Sequence, residues 1–269
     1  MRKISVVLAV VVLGAGLGAC GKHGAKNVYS CPNKGSGVGF EGVKKGKLTV
    51  QTSLPAKSFW TGADVDHLTG GYEFELAKDL CAQLGLGRVR VVDKPFASLA
   101  SGETTDFDIA LAELTTSGRG THSTGYLATD QGIAVNTGTV VPNLAAAKKL
   151  TWGVESGTTS GAYLAEHVKP TSATKSFASA ESLFAALKAK DVDAVLVPTR
   201  VALANVESGQ QVVGQFATHE QFGALLPKGS PNTKLVNAAI AKLQANGTLA
   251  KLEKSFSGPA TAVPYIAAG

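Results

Sequence analysis

From residue 47 to residue 258, the chain alternates between short runs with strand periodicity and longer segments with helical periodicity. Apolar residues alternate over 48–52 and 89–92, and an apolar run follows at 109–112. Between the first two runs, Phe74 begins a series of apolar residues at three-to-four spacing that stops at Gly85. A helix that connects two such strands forms a βαβ unit, which requires parallel strands.

The second half of the chain repeats this organisation. Strand patterns at 150–154 and 192–197 flank helical patterns at 161–168 and 181–189, and two helices are predicted at 235–245 and 249–256. This alternation favours a mostly parallel, doubly wound α/β architecture.

The N-terminus has the features of an export signal. Arg2 and Lys3 precede an apolar stretch at 4–19 that is shorter than the roughly 20 residues of a membrane-spanning helix. The sequence 17–20, Leu-Gly-Ala-Cys, resembles the lipobox of bacterial lipoproteins, which implies cleavage before Cys20 and acylation of its side chain and amino group. An ordinary signal peptide beside a cysteine is the alternative.

The net charge of +6 is concentrated near the N-terminus. Residues 21–46 carry five lysines, seven glycines and one glutamate, so they are predicted to form a flexible basic tether. Residues 47–269 carry 19 basic and 19 acidic side chains. Because the globular part is neutral, no nucleic-acid partner is expected.

Two cysteines remain if Cys20 is acylated. An exported protein folds in an oxidising compartment, where a pair of cysteines usually forms a disulfide bond. We therefore predict a bond between Cys31 and Cys81, with two unpaired thiols as the alternative.

The segment Gly71-Tyr-Glu-Phe-Glu-Leu76 resembles the signature of family 3 extracellular solute-binding proteins, the polar amino acid receptors of ABC importers. The resemblance continues through 108–112, 153–159 and 193–195 to 247–249. It implies a periplasmic-binding-protein-like fold, in which two doubly wound α/β lobes joined by two crossover strands close on a ligand. The implied crossovers lie near 131–136 and 221–226. The expected division is a signal peptide and lipobox at 1–20, a tether at 21–46, lobe one at 47–131 plus 222–258, hinge strands and lobe two at 132–221, and a C-terminal tail at 259–269.

The resemblance also suggests how a ligand carboxylate would be held. Arg119 matches the arginine of the family's T-x-x-R motif, and a guanidinium group can donate two hydrogen bonds to one carboxylate. Thr115 lies where the family offers a hydroxyl and a backbone donor. From the other lobe, Gly157, Thr158 and Thr159 occupy a strand-to-helix junction whose free N–H groups suit an anion. The alternatives are a solvated loop arginine, a strand-end threonine and simple helix capping.

Phe59 and Trp60 lie where the family places a loop that stacks on the ligand. Core packing is the competing interpretation for both side chains.

The sequence departs from the family at the group that binds the ligand ammonium. The usual aspartate is replaced by Pro198. Glu113 and Glu155 are predicted to lie near the ligand, and either could receive the ammonium. For each, a solvated or ion-paired glutamate is the alternative.

The predicted function is a lipid-anchored, monomeric receptor on the outer face of the cell membrane. It captures a small carboxylated, amino-acid-like ligand and delivers it to an ABC permease. No catalysis, cofactor or metal is expected. The alternatives are a dehydratase of cyclic carboxylic acids with Glu155 as general acid, and a receptor that reports to a membrane sensor.

Overall fold

The computed structural model of the protein describes residues 26–32, 39–256 and 263–267. The predicted export signal, with Cys20, lies outside the described residues. The strands are β1 Val28–Ser30, β2 Lys47–Thr52, β3 Thr61–Gly62, β4 Leu68–Gly70, β5 Arg88–Asp93, β6 Ile109–Ala110, β7 Thr121–Asn136, β8 Trp152–Glu155, β9 Lys175–Phe177, β10 Ala194–Pro198 and β11 Gln210–Leu226. The helices are α1 Tyr72–Gln83, α2 Phe96–Ala100, α3 Leu144–Ala147, α4 Thr159–Tyr163, α5 Ala180–Ala189, α6 Thr199–Asn205, α7 Thr233–Ala245 and α8 Thr248–Phe256. A π-helical turn, Leu164–Val168, continues α4.

The main sheet has the strand order β1-β5-β2-β6-β11-β7-β10-β8-β9. Strands β5, β2 and β6 are parallel neighbours in one lobe, and β10, β8 and β9 are parallel neighbours in the other. The long strands β7 and β11 pair antiparallel in the middle, and they carry the chain between the lobes. Both extend well beyond the segments expected at 131–136 and 221–226, because each also serves as a sheet strand in both lobes. The predicted lobe boundaries stay a prediction.

Helix α1 shows how local pattern becomes tertiary packing in lobe one. Its three-to-four spacing places Leu76, Leu80 and Cys81 on one face, and all three are fully buried against the sheet. Helices α7 and α8 contact both α1 and strand β7. In lobe two, Trp152, Phe216 and Leu164 belong to a separate buried cluster.

The expectation of a flexible tether over 21–46 is wrong for its described part. Strand β1 pairs antiparallel with β5, so it covers an edge of the sheet that would otherwise be unpaired. A disulfide bond joins Cys31 to Cys81 of α1, with Cα atoms 6.0 Å apart. Phe40 packs against the lobe-one core. Residues 26–32 and 39–46 are therefore part of the folded unit, despite the glycine and lysine content of the sequence around them.

The predicted C-terminal tail also packs on the fold where it is described. Gln215 N–H donates to the Pro264 carbonyl at 2.9 Å, and Ile266 N–H donates to the Gln215 carbonyl at 2.9 Å. The Ile266 side chain is buried in the lobe-two cluster. Across the described ranges, none of the helices has the length and apolar character required to cross a membrane.

Candidate functional site

Two adjoining cavities lie between the lobes, with about 360 and 520 Å³ of empty space. Glu113 and Phe96 of lobe one, and Thr158 and Pro198 of lobe two, line both cavities. The segments that supply these walls follow the carboxyl ends of β5, β6, β8 and β10, the usual position of ligand sites in doubly wound sheets.

The first cavity contains the loop that carries Arg119. Thr115 is buried at the start of this loop, where it bridges to Phe222 of β11. The Gly118 N–H donates to the Thr115 carbonyl at 2.9 Å, which closes the turn. Arg119 is exposed and lines the cavity. Its guanidinium group has no hydrogen bond or salt bridge to any described residue, so it is available to an anion.

The opposite wall of this cavity is the junction between β8 and α4. Gly157 adopts a φ of +87°, and a side chain at this position would lie only 3.0 Å from Ala100 Cβ of lobe one. Glycine therefore permits both the turn and the close approach of the lobes. The Thr158 hydroxyl donates to the Glu155 carbonyl at 2.7 Å rather than capping α4. The alternative of simple capping by Thr158 is therefore not observed, and the first turn keeps amide groups that no side chain caps.

Sequence reasoning did not find His122 and Phe96, two further residues of this cavity. His122 Nε2 lies 2.9 Å from the Arg119 carbonyl oxygen. In the tautomer that is protonated at Nε2, it donates a hydrogen bond to this oxygen. Its Nδ1 atom is buried and has no hydrogen-bond partner among the described residues. Neither residue lies in a recognisable motif, and only the folding of the loops brings them to the cavity.

The second cavity contains the two glutamates expected near the ligand. Glu155 is 8% exposed, and burial raises its pKa to about 7, although the Ala180 N–H opposes this effect. Glu113 is partly buried and adopts a φ of +55°. Burial raises its pKa well above the ordinary value, and repulsion from Glu73 and Glu155 adds to that effect. No described cation pairs with either carboxyl group, so the cavity offers an unneutralised acidic pair.

Glu73, from the family signature, holds the Glu113 backbone in this position. Its fully buried carboxyl group accepts hydrogen bonds from Trp60 Nε1 at 2.8 Å, from Glu113 N–H at 2.8 Å and from the Tyr126 hydroxyl. Burial raises the pKa of Glu73, and these three donors oppose the rise. Glu73 belongs to the signature in the sequence, but the signature does not indicate this role.

The expected stacking of Phe59 and Trp60 on a ligand is wrong in this structure. Both side chains are 2% exposed, and neither lines a cavity. Phe59 packs edge-on against Tyr72 and Phe222, and the Trp60 indole is held by Glu73. A ring must present a free face to stack on a ligand, and these rings are enclosed by the lobe-one core. Apolar contact is instead available from Phe96, which lines both cavities.

Pro198 ends β10 and lies in both cavities. It has neither a carboxylate nor a backbone N–H, so it supplies only an apolar wall. The first cavity thus has a guanidinium group without a described partner and uncapped amides, the adjoining one has Glu155, and Glu113 lines both.

The sequence matches the profile of the Bacterial extracellular solute-binding proteins, family 3, over residues 48–259. No curated protein matches it. Among solved structures, an ancestral arginine-binding protein bound to arginine is 26% identical, with a TM-score of 0.67 over 79% of this chain and 98% of that chain. An amino acid ABC transporter substrate-binding protein from Streptococcus pneumoniae, bound to L-arginine, is 23% identical, with a TM-score of 0.68 over 79% and 95% of the two chains. An ancestral amino acid-binding protein, a precursor of cyclohexadienyl dehydratase, is 24% identical, with a TM-score of 0.69 over 79% and 96%.

Proposed function

This chain belongs to the bacterial extracellular solute-binding proteins, family 3, and from that membership we propose that it captures a small amino-acid-like ligand outside the cytoplasm and delivers it to an ABC permease. The observation that carries the proposal is the first cavity. Arg119 of one lobe and the Gly157–Thr159 junction of the other line it together. The Arg119 guanidinium group has no partner among the described residues, and the junction supplies amide groups that no side chain caps, which suits a carboxylate.

A ligand carboxylate held by both segments would stabilise the closed arrangement of the lobes. Arg119 reaches such a ligand from lobe one, and Thr158 and Thr159 reach it from lobe two. Only a closed cleft can form both sets of hydrogen bonds, so binding favours closure. The Thr115 hydroxyl is a further donor beside Arg119.

The ligand's ammonium or guanidinium group is assigned to Glu113 and Glu155. These carboxyl groups replace the family aspartate that is absent at Pro198. A cation beside them would offset the burial that raises the pKa of both groups, and also the repulsion from Glu73 and Glu155 that raises the pKa of Glu113 further. The ancestral relative that is 26% identical was solved with arginine, a ligand that carries both a carboxylate and a separate cationic group.

We further propose that the mature protein is anchored to the outer face of the cell membrane by acyl chains on Cys20. More than one acyl chain gives stable anchoring, whereas a single chain is marginal. The receptor acts as a monomer and performs no catalysis. The Glu155 carboxyl group then serves in binding and not as a general acid.

Thermal unfolding of the purified protein with a panel of amino acids, amines and small carboxylates tests the proposal. A ligand at 100 times its Kd stabilises a protein by about 2.7 kcal/mol, which for a chain of this size raises the Tm by roughly 5–10 °C. Arg119→Ala should abolish this shift, whereas Arg88→Ala, at an exposed position of β5 outside both cavities, should retain it.

Two outcomes of the panel would contradict the proposal. The receptor function fails if none of the compounds changes the Tm. Recovery of a cyclic carboxylic acid in dehydrated form after incubation would instead support the enzyme alternative, because a receptor returns its ligand unaltered.

A further inference from the structure

Gln131 lies on crossover strand β7 where the strand passes from one lobe to the other. Its side chain is fully buried, and both ends of the carboxamide are hydrogen-bonded. The Nε2 group donates to Thr159 Oγ1 at 3.2 Å and to Glu220 Oε2 at 2.6 Å. The Oε1 atom accepts from Ser160 Oγ at 2.7 Å. Gln131 therefore connects the start of α4 with the other crossover strand.

Glu220, on β11, continues the connection to lobe one. Its Oε1 atom accepts from Ser117 Oγ at 3.2 Å, and its Oε2 atom also accepts from Thr218 Oγ1 at 3.2 Å. Ser117 lies in the same short loop as Thr115 and Arg119, and its hydroxyl is 3.5 Å from Thr115 Oγ1. A chain of side-chain hydrogen bonds thus runs from the Arg119 loop through both crossover strands to α4.

The two ends of this chain are the two halves of the carboxylate-binding cavity. Thr115 and Arg119 line that cavity from lobe one, and Thr159 lines it from lobe two. These hydrogen bonds have fixed directions, because the Gln131 NH₂ group donates to Glu220 and the Gln131 carbonyl oxygen accepts from Ser160. An acid at position 131 would place a second carboxylate within 3 Å of Glu220, which disfavours the connection.

We propose that Gln131 and Glu220 are positioning residues that hold the two halves of the carboxylate-binding cavity in register across the hinge. This inference rests on the proposed function of the site. Neither side chain needs to touch the ligand, because each fixes the segments that do. Loss of the connection lets the Arg119 loop and α4 move independently, so the closed cleft is less populated and the ligand binds more weakly.

Variants that break or restore the connection test the proposal. Two measurements are made: the affinity of the purified protein for L-arginine, used as the probe, and the radius of gyration of the unliganded protein by small-angle X-ray scattering. Gln131→Glu should weaken binding at least tenfold and increase the radius of gyration. Adding Glu220→Gln to this variant exchanges the acid and the amide between the two positions, so the two side chains can hydrogen-bond again. The affinity and the radius of gyration should then both return to the wild-type values. Gln244→Glu, which adds the same charge at an exposed position of α7, is the control and should change neither.

Substitutions of Glu220 alone separate positioning from charge, and they also serve if Gln131→Glu does not fold. Glu220→Ala should weaken binding several-fold, whereas Glu220→Gln, which keeps an acceptor for Gln131, should stay near wild type. The proposal is overturned if the alanine and glutamine variants behave alike, or if the double variant remains as impaired as Gln131→Glu. If the wild-type protein does not bind L-arginine, the scattering of the unliganded variants still tests the connection, so the two proposals fail separately.

Discussion

Replacing Glu155 by glutamine should remove a large part of the pH dependence of stability of the unliganded protein. Burial moves the pKa of this carboxyl group from 4.5 to about 7 in the folded state. The folded protein therefore binds this proton more tightly than the unfolded chain. The resulting stabilisation is fully present below pH 4.5 and is lost as the pH rises through 7. Each tenfold change in protonation equilibrium is worth about 1.4 kcal/mol, so Glu155 costs about 3 kcal/mol above pH 8. About 2.5 kcal/mol of this loss falls between pH 5 and 8.

Urea unfolding at pH 5, 6, 7 and 8 measures this effect. The wild-type protein should lose roughly 2.5 kcal/mol more across this range than Glu155→Gln, because glutamine does not titrate. Glu103→Gln, at an exposed position, is the matched control and should follow the wild type. Glu113 acts in the same direction as Glu155, so Glu113→Gln together with Glu155→Gln should flatten the profile further. If the wild type and Glu155→Gln lose equal stability between pH 5 and 8, the assignment of a raised pKa to Glu155 is refuted.

Substitutions at Glu73, at the disulfide bond and at Cys20 test the remaining inferences. Glu73→Ala leaves three buried donors without their acceptor and should lower the free energy of unfolding by about 3–5 kcal/mol in urea titration. Glu73→Gln should lose less. Equal stability of the wild type and both variants would contradict the role assigned to this carboxyl group. Replacement of both Cys31 and Cys81 by serine opens a link between residues 50 apart and should cost roughly 4 kcal/mol in the same assay, whereas added reductant should leave that variant unchanged. Cys20→Ala should move the protein from the membrane fraction to the soluble fraction on immunoblots of fractionated cells, and retention in the membrane would exclude an anchor at this residue.

Local sequence pattern accounts for about half of the described strands and helices. The strand runs at 48–52 and 89–92 and the helical spacing from Phe74 are visible in the sequence because strands and helices bury one face with a fixed period. They correspond to β2, β5 and α1. The short elements α2, β3 and β9 carry too few residues to show a period, and they were not predicted.

Family resemblance supplied the residues of the candidate site, because its motifs fix where loops follow strands. Arg119, Thr115 and Gly157–Thr159 line one cavity, and Glu113 and Glu155 line the adjoining one. Whether these residues bind a ligand stays a prediction. The same resemblance placed Phe59 and Trp60 at the ligand, but a loop position does not determine which way a ring points.

Side-chain environments depend on contacts between residues that are distant in the sequence. The Glu73 carboxyl group can remain buried because it accepts hydrogen bonds from Trp60, Glu113 and Tyr126. These residues lie 13, 40 and 53 positions away in the sequence. Gln131 meets Glu220 across 89 positions. Periodicity reports which face of an element is apolar, and it contains no information about which distant donor satisfies a buried acceptor. Periodic elements such as β2, β5 and α1 could therefore be predicted from the residues alone, whereas the pKa values of the acidic groups and the connection between the crossover strands depend on how the elements pack.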